Sequence, residues 1–102
     1  MIKSLRIGPS TWKVVVKKLG GVWGYCNAEK REIEISHHAK GRERTAALLH
    51  EALHATIAEY GINHSLTIEQ EEGVVRVLEA GLLNLFLTNQ RFTKDLLKEL
   101  TK

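Results

Sequence analysis

The chain has 102 residues and a mass of 11.5 kDa, the size of one domain spanning residues 1–102. Apolar residues make up 43% and charged residues 26%, a globular balance that excludes disorder, and no apolar run of ~18 residues is present to span a membrane. The net charge of +3 is spread from Lys13 to the lysine-rich C-terminus with no recognition helix or aromatic stacking motif, so it reads as a solvated surface rather than a nucleic-acid site.

The first third has strand character. Thr11 to Lys17 is β-branched and aromatic, bounded by Gly8-Pro9-Ser10 and Gly20-Gly21. Val22 to Asn27 follows the glycine pair, which predicts a hairpin between these two runs. Glu32-Ile33-Glu34-Ile35-Ser36 alternates strictly, with both isoleucines on one face, and Ala28 to Arg31 form a polar turn before it. The expectation is a three-stranded antiparallel meander, with residues 2–7 a candidate for an added strand. Trp12 and Trp23 are expected to pack this sheet against helices.

From Arg42 the period changes. Ala46, Leu49, Leu53, Ile57 and Tyr60 recur at helical spacing, and Gly61 is a C-terminal stop. Thr67 with Gln70 three residues later has the form of a capping box. Glu69, Glu71 and Glu72 then complement the positive end of a second helix running to about Thr88. Phe92, Leu96, Leu97 and Leu100 suggest a short third helix. The fold class is therefore α+β: a meander, then a first helix, a second packed helix and a short C-terminal one. Cys26 is the only cysteine, so no disulfide forms within the chain, and Gly8-Pro9 interrupts any apolar leader; the expected compartment is the cytoplasm.

His50-Glu51-Ala52-Leu53-His54 is H-E-x-x-H in the middle of the first predicted helix. Residues four apart share a helix face, about 5–6 Å apart, so two imidazoles can grip one Zn2+ ion. Glu51 projects beside them as a general base. Zinc lowers the pKa of a bound water to about 7, and a carboxylate completes its activation for attack on a carbonyl. Random placement of the chain's histidines and glutamates gives the pattern in roughly 3% of cases, so chance is a weak account of it.

A third ligand must come from elsewhere. Glu72, 18 residues after His54 near the start of the next helix, is the first choice. Glu79, seven residues on and on the same face, is either the ligand instead or a carboxylate orienting an imidazole. Arg76 is an alternative partner for Glu79 within its helix. Glu71 is offset by about 100° and fits less well. His64 and Tyr60 are candidates for transition-state or substrate contacts, although a loop histidine is often just solvated and Tyr60 falls on the core stripe. His37-His38 reads as an exposed pair, and Cys26 as a small core hydrophobe.

Leu48-Leu49-His50-Glu51-Ala52-Leu53-His54-Ala55 after a β-meander, followed by Glu72-Gly73-Val74-Val75-Arg76, resembles a minimal zincin metallopeptidase. The likeness is to the ImmA/IrrE type and its small phage and prophage relatives, over roughly residues 30–88. In that family a glutamate in an E-x-x-A-N pattern is the third ligand; Glu72 fits in position, while Val75-Arg76 replaces Ala-Asn. Ile57 and Tyr60 depart from the metzincin continuation of H-E-x-x-H. The resemblance implies a protein or peptide substrate, such as a regulatory protein, lying along an edge strand above the helix. Ile33 to Ser36 is the expected edge. The competing reading is a non-catalytic accessory module in which a metal, or an ion pair between the histidines and Glu72, staples two helices. Neither reading fixes the oligomeric state.

Overall fold

The computed structural model describes residues 2–102. In chain order these form β1 (Ser4–Ile7), β2 (Ser10–Lys17), β3 (Gly24–Asn27), β4 (Glu32–Ser36), α1 (Gly41–Glu59), a 3-10 turn (Ile62–His64), α2 (Ile68–Thr88) and α3 (Gln90–Leu100). The class is α+β, with all strands preceding the helices. Among the described residues, no helix is long and apolar enough to cross a membrane.

The sheet corrects the expected meander. It has four strands in the order β1-β2-β4-β3 and is mixed. β1 pairs antiparallel with β2, β2 runs parallel to β4, and β3 pairs antiparallel with β4. Residues 4–7 thus add a strand, but β2 and β3 do not form a hairpin. Burial explains the insertion of β4 between them. Ile33 and Ile35 are fully buried and Ser36 nearly so, so this strand belongs in the middle, where both edges are hydrogen-bonded. The β3–β4 connection is the tight one: Asn27 Oδ1 accepts from the Lys30 amide at 3.2 Å, and Arg31 turns the chain at a φ of 49°. The glycine pair lies instead in the longer connection from β2 to β3. β4 is therefore no edge strand, and β3 takes that place.

One face of the sheet packs on α1. Ile7, Trp12, Val14, Ile33 and Ile35 meet Ala39, Ala47 and Ala55 in the main core. The small alanines let the helix lie close to the sheet. Trp12 is almost fully buried, and its Nε1 donates to Glu59 Oε1 at 2.8 Å; Arg31 Nε donates to the same oxygen at 2.7 Å. This clamp fixes the C-terminal end of α1 to the sheet. Gly61, at a φ of 80°, follows α1 in the left-handed conformation expected of a stop signal.

α2 begins with the predicted capping box. The Gln70 amide donates to Thr67 Oγ1 at 3.1 Å and the Thr67 amide to Gln70 Oε1 at 2.9 Å. It then packs along α1, with Val75 fully buried and Ile57 of α1 nearly so, both outside the sheet-facing core. α3 contacts α2, and among the described residues none of α3 is buried.

Candidate metal centre

α1 presents Ala47, Glu51 and Ala55 to the sheet and turns His50 and His54 toward α2. The two rings lie 5.1 Å apart between centroids, steeply inclined to each other. Their Nε2 atoms meet a single carboxylate: His50 Nε2 is 2.9 Å from Glu72 Oε1 and His54 Nε2 is 3.0 Å from Glu72 Oε2. Each ring is also held from its other nitrogen. His50 Nδ1 lies 2.6 Å from Glu79 Oε1 and His54 Nδ1 2.5 Å from Glu71 Oε2. Three carboxylates of α2 thus serve two imidazoles of α1.

Donor counting shows what this arrangement suits. An ionised carboxylate only accepts, so four simultaneous hydrogen bonds require four N–H groups and two cationic rings. A divalent cation supplies the same two positive charges between the Nε2 atoms and Glu72. The Nδ1 atoms would then keep their protons for Glu71 and Glu79, the outer arrangement found behind metal-bound histidines. The donor set fits Zn2+, with His50, His54 and Glu72 in reach of one ion. His50, Glu51 and His54 also each offer a donor atom within 4.8 Å of the others.

Glu51 stands between these rings and the sheet. It is 7% exposed, and burial raises its pKa above the usual carboxylate value while the neighbouring imidazoles oppose the shift. β3 presses on it. A Cβ at Gly24 would lie 2.9 Å from Glu51 Cγ, 3.0 Å from Glu51 Oε2 and 3.2 Å from the Glu34 carbonyl oxygen. Only glycine leaves the carboxylate where it is. Beyond Gly24, the Cys26 thiol is pushed up to about 12 by burial and by the charges of Glu51 and Glu71.

These groups line a cleft of about 1050 Å³ between β3 and the two helices. Its outer wall is apolar: Val22, Trp23, Tyr25 and Ile68 all reach it while 52–89% exposed. Trp23 therefore does not pack the core as expected. It belongs to the short edge strand's approach, where no second layer covers it.

Of the candidates read from sequence, His50, Glu51, His54, Glu72 and Glu79 come together. Tyr60 and His64 do not line the cleft. Tyr60 is 67% exposed at the end of α1, its ring 3.6 Å from the place of a Gly8 Cβ, and His64 is exposed in the 3-10 turn. Arg76 reaches toward Glu72, at 3.5 Å, rather than Glu79. The His37 and His38 rings lie with centroids 4.0 Å apart and tilted to each other, away from the cleft; His38 is exposed as expected and His37 half-buried. Glu71, ranked below Glu72 and Glu79 on its offset, joins them by bracing His54, and Gly24 has no place among the sequence candidates. A signal for Glu71 existed: two ligand imidazoles need partners for their Nδ1 atoms, and the acidic start of α2 offers carboxylates beyond Glu72 to supply them. Gly24 had no such signal, because its neighbour Glu51 is distant in sequence.

Comparison with family models, with curated proteins and with solved structures finds no match to this chain.

Proposed function

We propose that this protein is a zinc-dependent endopeptidase of minimal zincin type, with His50, His54 and Glu72 holding the ion and Glu51 as general base. One observation carries the reading: both Nε2 atoms of an H-E-x-x-H helix converge on one carboxylate of the next helix, while separate carboxylates brace the rings from behind. When bound, zinc supplies Lewis acidity toward a carbonyl and lowers the pKa of water.

The chain's own residues account for the remaining requirements. Glu51 takes a proton from the attacking water and returns it to the departing amine nitrogen as the C–N bond breaks. Its burial strengthens it as a base, and Gly24 holds it in place. β3 offers the free edge. The Ser36 amide donates to the Trp23 carbonyl at 2.8 Å, and the register pairs Gly24 with Ile35 and Tyr25 with Glu34. Antiparallel pairs alternate, so Tyr25 turns its main chain to β4 and Gly24 and Cys26 turn theirs outward. An extended peptide can add there as a fifth strand. The wall of Val22, Trp23, Tyr25 and Ile68 suits a substrate with a large apolar side chain near the cut, and a cytoplasmic regulatory protein is the expected class.

The test is zinc content beside cleavage. Untagged protein should carry one zinc per chain, His50→Ala and Glu72→Ala should lose it, and Glu51→Gln should keep it while losing peptidase activity on an apolar peptide library. Parent-rate cleavage by Glu51→Gln would refute the mechanism.

A second reading has one observation in its favour: Glu72 lies within direct hydrogen-bond distance of both imidazoles, at 2.9 and 3.0 Å. On that reading the network staples α1 to α2 in a non-catalytic accessory module of a phage or mobile element. A protein that never takes up zinc, and whose thermal melting is indifferent to chelators, would select it.

A further inference from the structure

Peptide cleavage in this cleft puts a negative charge among carboxylates. Adding the water oxygen to the carbonyl carbon moves the C=O electron pair onto the carbonyl oxygen, while the water's proton goes to Glu51. The pair re-forms the carbonyl as the C–N bond breaks and the amine takes the proton back from Glu51. Glu43, Glu51, Glu71, Glu72 and Glu79 all line the cleft, so the charged oxygen needs a donor to offset them. Tyr60 and His64, the donors expected from sequence, lie outside it. The four ring nitrogens of His50 and His54 are engaged with Glu71, Glu72 and Glu79.

Arg76 is left. It is the only lysine or arginine among the described residues that line the cleft. It stands four residues after Glu72 and three before Glu79, so the three side chains leave α2 on one face. Its Nε lies 3.5 Å from Glu72 Oε1, the oxygen that His50 Nε2 meets at 2.9 Å. The side chain is 75% exposed and this long contact is its one ion pair among the described residues, so most of its N–H donors stay open. Trp23 and Tyr25 bring donors from the β3 wall, but neutral ones, and a charge-assisted hydrogen bond is roughly twice as strong.

We infer that Arg76 is a catalytic residue of this site: its guanidinium donates to the substrate carbonyl oxygen as negative charge builds there. The assignment rests on the peptidase reading above. A peptide bonded to β3 along one edge turns its other main-chain edge away from β3, toward the wall that carries Arg76. A guanidinium beside the carboxylate that would hold a divalent cation also repels that cation. An oxygen gaining negative charge between the two replaces the repulsion with attraction to both. The contact is therefore stronger in the transition state than in the free protein, which is the condition for raising kcat.

Kinetics on apolar peptides blocked at both ends test this. Arg76→Ala should lose about 10²-fold or more in kcat, with KM, zinc content and far-UV spectrum held, since an exposed i,i+4 pair contributes little to stability. Arg76→Lys, which keeps the charge without the planar fork, should recover part of the rate. Millimolar free guanidinium should restore activity to Arg76→Ala and none to Glu51→Gln. Calorimetry gives a readout apart from turnover: a phosphinic peptide, which carries a charged oxygen in place of the carbonyl, should bind Arg76→Ala more weakly by the same factor. Parent-rate cleavage by Arg76→Ala, with Glu51→Gln inactive, overturns the inference and leaves the peptidase reading standing. Loss of zinc from Arg76→Ala overturns it too, by making Arg76 a support for Glu72. A defect confined to peptides with a free C-terminal carboxylate would assign the guanidinium to that group instead. A parent protein without zinc, or an active Glu51→Gln, removes the peptidase reading and this inference together.

Discussion

The two halves of the molecule are held by different forces. The sheet and α1 share a dry core of eight buried apolar residues running from Ile7 to Ala55. α2 and α3 contribute one fully buried apolar side chain among the described residues, Val75. What fastens α2 to the rest is largely polar: four contacts of 2.5–3.0 Å between its glutamates and the two histidines of α1. The candidate metal centre is thus also the joint between a well-packed half and a poorly packed one. Occupancy of the centre should therefore stiffen α2 and leave the sheet indifferent.

The largest expected effect is on the packed half. Trp12→Ala removes a side chain that is 1% exposed, and loses the hydrogen bond to Glu59 as well. Truncating a buried aromatic costs about 3–5 kcal/mol, a large share of the stability of a domain this small. Val75→Ala, in the other half, should cost only about 2 kcal/mol. Urea unfolding of both variants compares the halves directly. Equal losses would show that α2 belongs to the same cooperative core.

The second effect sharpens the comparison at the joint. Glu72→Ala leaves both Nε2 atoms without their shared carboxylate, and adding Glu79→Ala frees His50 entirely. Amide exchange in α2 should accelerate at least tenfold in the double variant, with β2 and β4 amides unchanged. Uniform acceleration in both halves would refute the division.

Much of this was legible in the sequence because it is local. The capping box at Thr67, the stop at Gly61 and the spacing of His50 and His54 depend on a few neighbouring residues. Strand order is not local. Glu32 to Ser36 was read correctly as a strand, but its place in the middle depends on how many strands the core must cover and on which one is buried deepest. The glycine pair drew the reading toward a hairpin that does not form. The choice between Glu72 and Glu79 stayed open in the sequence because both lie on one face of α2. In the fold they meet different nitrogens of His50, Glu72 at Nε2 and Glu79 at Nδ1. Trp23 shows the opposite failure: composition placed a tryptophan in the core, where the molecule puts it on the cleft.

A third test concerns how tightly the packed half supports the chemistry. Gly24→Ala places a methyl within 3.0 Å of Glu51, against backbone on the other side. The carboxylate must shift, whereas His50, His54 and Glu72 are untouched. Peptidase activity should fall by 10-fold or more with zinc content unchanged, since sub-ångström placement of a base matters to proton transfer. Loss of zinc in this variant would mean that β3 supports the histidines and not the base.

The smallest effect is a pH dependence confined to the packed half. The Arg31 guanidinium, bonded to Glu59 at 2.7 Å, holds the carboxyl below its ordinary value of 4.5, and Trp12 Nε1 adds to the shift. A carboxyl with a depressed folded-state pKa binds its proton more readily in the unfolded chain. Its contribution is therefore fully present above about pH 4.5 and is lost as the pH falls through the lower, folded value. Glu59→Gln should melt below the parent at neutral pH, and the gap should close as the pH drops from 4.5 toward the folded pKa. The gap should not respond to chelators, because Glu59 lies at the sheet end of α1, outside the cleft lining. A gap that stays constant through the acid range would mean that the charge of Glu59 contributes nothing, and no gap at any pH would mean that Trp12 needs only the acceptor oxygen that glutamine also supplies. A gap that varied with zinc would join the two ends of α1 into one unit and erase the distinction between the halves.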